Sequence, residues 1–229
     1  AGTNTVVIGR RKEAGDVVVA SIRAKGHKAL FVQADVLDEK DLLNAKETIL
    51  KEFGSIDILV NAAGGNLPGA VIMPEQNFFD LKMEEFQKVV DLNLKGTVLP
   101  TKVFCDVMAK RKKGVIINIA SMASFRPITR VVGYSASKAA VDNFTQWLAV
   151  EMAKKFGEGI RVNAIAPGFF ITEQNRKLLM NPDGTYTLRG EAAIRQTPFG
   201  RFGVPEELIG TLIWLCADAS GFVTGVTIP

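Results

Sequence analysis

Short apolar, β-branched runs alternate with helix-like segments along the whole chain, and this alternation limits the possible folds more than any other feature. The runs fall at 5–9, 29–33, 56–61, 114–120, 160–165 and, more weakly, 222–228. Helix-like segments occupy 13–25, 38–53, 83–112, 133–156 and 205–217. The runs are continuously apolar, which suits strands covered on both faces. The order predicts an α/β fold: one doubly wound parallel sheet in a single domain over 1–229, with ligands beyond the strands' C-terminal ends. One stretch breaks the rhythm. Residues 169–203 are rich in turn formers, including Asn181-Pro182-Asp183-Gly184, and an excursion of that length is read as a substrate lid.

At 229 residues the chain suits one hydrophobic core, and 47% hydrophobic with 23% charged residues excludes a disordered chain. The longest apolar runs, such as Val115-Ile116-Ile117, fall far short of the ~20 residues of a membrane span, and no targeting segment opens the chain. A cytoplasmic protein without a membrane partner is expected. Cys105 and Cys216 are too few for a disulfide framework and read as core thiols. With His27 the only histidine, no metal site is expected. The basic run Lys110-Arg111-Lys112-Lys113 closes a helix, where cations suit the dipole, so no nucleic-acid partner is inferred from it.

Chemistry gathers at the strand ends. Tyr134 and Lys138 stand at i and i+4, on one helix face, where an ammonium favours phenolate and lowers the phenol's pKa. Alone this pair is a common coincidence. Ser121, however, follows the run Val115–Ala120 and aims a hydroxyl at the ligand crevice. Asn61-Ala62-Ala63-Gly64 closes another strand with residues small enough for close backbone approach. Asn93 sits inside a long helix, where Asn needs a reason. Pro167-Gly168 ends a further strand.

In this order and spacing the sequence resembles the short-chain dehydrogenase/reductase family, whose sheet is Rossmann-type. The family's first strand and Gly-rich phosphate loop would precede Ala1, and its Gly-rich tail would follow Pro229. The resemblance implies that Tyr134 is the general acid in carbonyl reduction and the base in alcohol oxidation. It implies that Lys138 holds the nicotinamide ribose and lowers the Tyr pKa, that Ser121 hydrogen-bonds the substrate oxygen, and that Asn93 positions a water. Cofactor contacts implied in the same way are Asn61, Ala62, Gly64, Pro167, Gly168, Phe170 and Thr172, with Asp35 and Val36 beside the adenine. A homotetramer is implied as well.

The run Val6-Val7-Ile8 ends in Gly9-Arg10-Arg11, with no acid for a ribose 2′-hydroxyl; Arg10 therefore favours NADP, with NAD as the other reading. Segments such as Asn61–Ala70 and Ala166–Phe170 resemble the family's D-mannonate oxidoreductase (fructuronate reductase) branch. This implies a small sugar-acid substrate, D-fructuronate reduced to D-mannonate. Candidate substrate contacts are Gly65, Asn66, Arg126, Arg130, Gln174 and Asn175. Solvated loop charges compete as a reading of the two arginines, and helix-start polarity as a reading of the two amides. Other readings are a gluconate 5-dehydrogenase, a 3-oxoacyl reductase, or a non-catalytic cofactor-sensing or scaffold protein.

Overall fold

The computed structural model describes residues 2–126, 128–173 and 175–229. Strands β1 (Thr5–Gly9), β2 (Ala29–Gln33), β3 (Ile58–Asn61), β4 (Gly114–Ile119), β5 (Ile160–Ile165) and β6 (Thr227–Ile228) fall where the apolar runs predict them, and all their pairings are parallel. The weak last run contributes only its final two residues, and Phe222 is fully exposed. One expectation is refined. The strands form two ladders, β1-β2 and β3-β4-β5-β6, rather than one sheet. Between β1 and β3 lies a cavity of about 230 Å³ lined by Asn4, Val6, Ile56 and Ile58.

Helices α1 (Lys12–Ala24), α2 (Glu39–Phe53), α3 (Met83–Val90), α4 (Gly96–Arg111), α5 (Val132–Phe156), α6 (Arg176–Leu179), α7 (Leu188–Arg195) and α8 (Ile209–Cys216) complete the molecule. Alternation along each strand sends neighbouring side chains to opposite faces. Ile116 joins Leu42, Ile49, Phe104, Met108 and Leu148 in a core that also takes in Val6, Ile8 and Val32, so both ladders share one face. Ile117 turns the other way, onto Leu215 of α8. On the first ladder Gly15 of α1 lies so close to Phe31 that a Cβ would overlap the ring. Helices thus cover both faces, as a doubly wound fold requires.

The predicted long helix at 83–112 carries a π-helical turn at Asp91–Lys95 that separates α3 from α4. Such turns insert extra backbone into a helix and concentrate at functional sites. Asp38 caps α2 by accepting from the Asp41 amide at 3.0 Å, and Gly54 ends it in the left-handed conformation. The 169–203 excursion has a small core of its own, Leu179, Ala193 and Phe202 with Phe169 and Ile171. Its base is closed by a bridge between Phe170 and Gly203, where Gly203 N donates to Phe169 O at 3.0 Å and Ile171 N to Gly203 O at 3.2 Å.

Candidate active site

The C-terminal ends of the parallel strands bring the predicted chemistry together. Ser121 leaves β4 in an extended conformation; its Oγ accepts from the Ala123 amide at 3.1 Å and caps the short turn Met122–Ser124. Tyr134 lies in the first turn of α5, close enough to the Ser121 hydroxyl for it to influence the phenol's pKa. One turn on, Lys138 is buried; its Nζ donates to the Ile119 carbonyl at 2.6 Å and lies 5.7 Å from the centre of the Tyr134 ring. Burial draws the Lys138 pKa down to about 8. The expected lowering at Tyr134 does not occur. Burial raises the phenol above its ordinary value, and only the nearby Ser121 hydroxyl opposes this. The ammonium lies over the ring and is engaged by a carbonyl, so desolvation dominates.

The loop after β3 closes the cluster from the other side. Asn93, fully buried in the π turn, donates through Nδ2 to Gly65 O at 2.7 Å and to Val89 O at 2.8 Å. Its Oδ1 accepts from Gly65 N at 3.0 Å. Gly65 has φ +146°, outside the range of ordinary side chains. A Cβ on Gly64 would stand 2.7 Å from Asn93 Oδ1 and 3.3 Å from Lys138 Nζ. Asn93 therefore holds the loop in place, both atoms of its side-chain amide bonded to backbone.

Asn61 is buried, and its amide donates to Thr101 Oγ1 and Asn118 Oδ1, both at 2.8 Å; Asn118 in turn donates to Thr145 Oγ1 at 2.9 Å. The Asn61 side chain thus binds β3 to β4 and α4. The exposed Ala62 follows it at the rim. Asn175 donates to Phe170 O at 2.7 Å and accepts from Thr172 N at 2.8 Å, so it stitches the lid's start. Gln174 lies outside the described residues. Asn66 Oδ1 is buried without a partner among the described residues. Asp35 accepts from Leu37 N at 2.9 Å, and Val36 leans on Gly96 at the start of α4. Arg10 lies 3.7 Å from Asp35 at the exposed edge of β1.

Pro167 and Gly168 sit directly against the Ser121 turn, with Met122 N donating to Pro167 O at 3.1 Å. A cavity of about 460 Å³ opens there, between Met122, Gly168 and Phe169 on one side and α7 on the other. Arg126 lines it. Arg130, in the left-handed conformation at φ +72°, lines a neighbouring cavity with Tyr186. Arg189 of α7, which no sequence motif singles out, lines both. Among the described residues no His/Cys/Asp/Glu cluster would hold a metal ion, and no helix is long and apolar enough to cross a membrane.

Residues 1–182 match the family pattern of short chain dehydrogenases. The chain belongs to that family. It is an oxidoreductase, and the family binds NAD or NADP. The "Uncharacterized oxidoreductase UxuB" of Bacillus subtilis is 46% identical across all of this chain and 84% of its own length. A 3-oxoacyl-[acyl-carrier-protein] reductase of Synechocystis is 39% identical over 93% of this chain and 79% of its own. Among solved structures, a Haemophilus influenza "putative D-Mannonate oxidoreductase" with bound NAD superposes with a TM-score of 0.93 at 40% identity, covering 100% of this chain and 84% of that one. The site fits a nicotinamide cofactor: the Gly64–Gly65 backbone, with no Cβ in the way, borders a buried ammonium that has no carboxylate partner among the described residues.

Proposed function

We propose that this protein interconverts the ketone and alcohol forms of a sugar acid, D-fructuronate and D-mannonate being the pair. The observation that carries the reading is the arginine-bearing cavity lined by Met122, the residue that follows Ser121, and by Gly168, just past the end of β5. The nicotinamide, when bound, supplies or accepts the hydride. Lys138 would hold its ribose, and Pro167, Gly168, Phe170 and Thr172 the nicotinamide end. In the reductive direction Tyr134 gives its phenolic proton to the substrate oxygen as the hydride reaches carbon; in oxidation it takes that proton back. A phenol held protonated by burial suits the acid role. The Ser121 hydroxyl holds the same oxygen as charge develops on it. Arg126 places positive charge at the cavity wall for the acid, and Arg10 favours the 2′-phosphate of NADP. Exposed Trp147 and Val150 on α5 suit a homotetramer interface.

The test is the specificity constant on D-fructuronate, 5-ketogluconate and fructose, each with NADPH and NADH. Fructuronate is expected to lead. A lead for 5-ketogluconate moves the protein to the gluconate-type reading, and turnover of a 3-oxoacyl thioester above all three moves it to the acyl-carrier reading. Tyr134→Phe should lower turnover by ~10²-fold or more while cofactor binding persists; near-normal turnover refutes the assignment of the proton.

A further inference from the structure

We infer that Arg189, carried by the lid helix α7, is the side chain that grips the substrate's carboxylate, an inference that rests on the sugar-acid reading above. Arg189 forms part of the wall of the cavity lined by Met122, Gly168 and Phe169 and, at the same time, of a second cavity of about 530 Å³ shared with Arg130. Its Nε is shut off from solvent and has no hydrogen-bond partner among the described residues. No carboxylate pairs with it among those residues; Glu191, on the same helix, lies 3.8 Å from Arg195 instead. Burial and the neighbouring Arg130 charge both disfavour the cation where it stands. A guanidinium placed so is incomplete, and its planar fork of donors matches a carboxylate.

The lid is built to hold this residue still. Thr187 caps α7 by accepting from Gly190 N at 3.1 Å, and Thr187 N donates to Leu179 O at 3.1 Å. Gly190 meets the Leu179 carbonyl so closely that a Cβ would overlap it, and Ala193 packs into the lid core. Arg126 is exposed and Arg130 opens onto the second cavity only. Arg189 is thus the arginine that combines partial burial, a guanidinium without a carboxylate partner among the described residues, and a place in the cavity that Met122 and Gly168 also line. A neutral sugar leaves the fork unpaired and is rejected for that reason.

The experiment is titration calorimetry on the cofactor-loaded protein with D-mannonate, D-gluconate, tartrate and neutral D-mannitol. It compares wild type with Arg189→Met, Arg189→Lys and Arg126→Met, and thermal unfolding confirms that each variant is folded. Arg189→Met should weaken the preferred acid by about 10²-fold, the range of lost charge-assisted hydrogen bonds, while mannitol and cofactor affinity stay within about threefold. Arg189→Lys should recover part of the loss, and Arg126→Met should cost less than Arg189→Met. If gluconate or tartrate binds in place of mannonate with the same dependence on Arg189, the fructuronate assignment fails and the carboxylate grip stands. Acid affinity unchanged in Arg189→Met overturns the inference. Equal weakening of acids and mannitol, or a wild type that binds no acid better than mannitol, overturns it as well.

Discussion

Lys138→Met should convert a pH-dependent cost into a constant one. The wild-type ammonium is 4% exposed, has no acidic partner among the described residues, and is held by the Ile119 carbonyl alone. Burial lowers its pKa from 10.5 to about 8. At about 1.4 kcal/mol per pKa unit, that fall corresponds to roughly 3 kcal/mol against the folded state. The folded value lies below the unfolded one, so the unfolded chain binds the proton more tightly. The cost is therefore full below about pH 8, shrinks as pH rises, and is gone above 10.5. Methionine removes the titration but leaves the Ile119 carbonyl without its donor, a pH-independent loss of about 1–3 kcal/mol. The two terms nearly offset at pH 7, and the variant should fall behind steadily towards pH 10. Urea unfolding of both proteins without cofactor, at pH 7, 8, 9 and 10, gives the difference directly, and groups common to both cancel in it. A stability difference that stays constant within about 0.5 kcal/mol across that range would refute the reasoning, because it would mean that Lys138 titrates alike in both states.

Gly64→Ala should push the new methyl against Asn93 Oδ1 and Lys138 Nζ; stability should drop by about 1–3 kcal/mol and cofactor affinity should fall, both read from thermal unfolding with and without cofactor. Arg161, buried in β5, donates to the carbonyls of Leu215 and Ala217 and to Ser220 Oγ, so Arg161→Ala should cost about 3 kcal/mol or more in denaturant unfolding without changing the cofactor's nicotinamide preference. Arg10→Ala should raise KM for NADPH far more than for NADH, since only the former carries a 2′-phosphate; equal effects would make Arg10 a surface charge paired loosely with Asp35.

The strands and the Ser121–Tyr134–Lys138 cluster are legible because their signals are local. A continuous apolar run ending in Ser121 says which end of β4 meets the ligand, and a Tyr and Lys one turn apart share a helix face in any helix. Asn61 shows where local reasoning stops. It belongs to the same motif as Ala62 and Gly64, yet its register opposite Asn118 turns its amide into the sheet, and no linear pattern specifies that pairing. Asn93 stands out as an awkward helix residue, but the π turn that seats it is a shift of backbone phase with no composition of its own. Arg189 leaves no trace in the sequence, because its meaning comes from a cavity whose far wall includes Met122, Arg126 and Ile128, more than sixty positions away, and one arginine among surface charges looks like any other.

The bridge between Phe170 and Gly203 makes the lid's two ends neighbours before anything inside it is specified. To the rest of the chain, everything between them is equivalent to one short turn joining β5 to the start of α8's approach. Lengthening or rewriting that insert changes closure entropy only slowly, and it leaves Ser121, Tyr134 and Lys138 on elements the insert does not belong to. On the proposed function, substrate choice and proton chemistry therefore sit on separate segments of one chain. Exchanging 171–202 for the matching segment of a relative should carry that relative's acid with it, while the phenol and ammonium continue to act on whatever carbonyl is delivered to them.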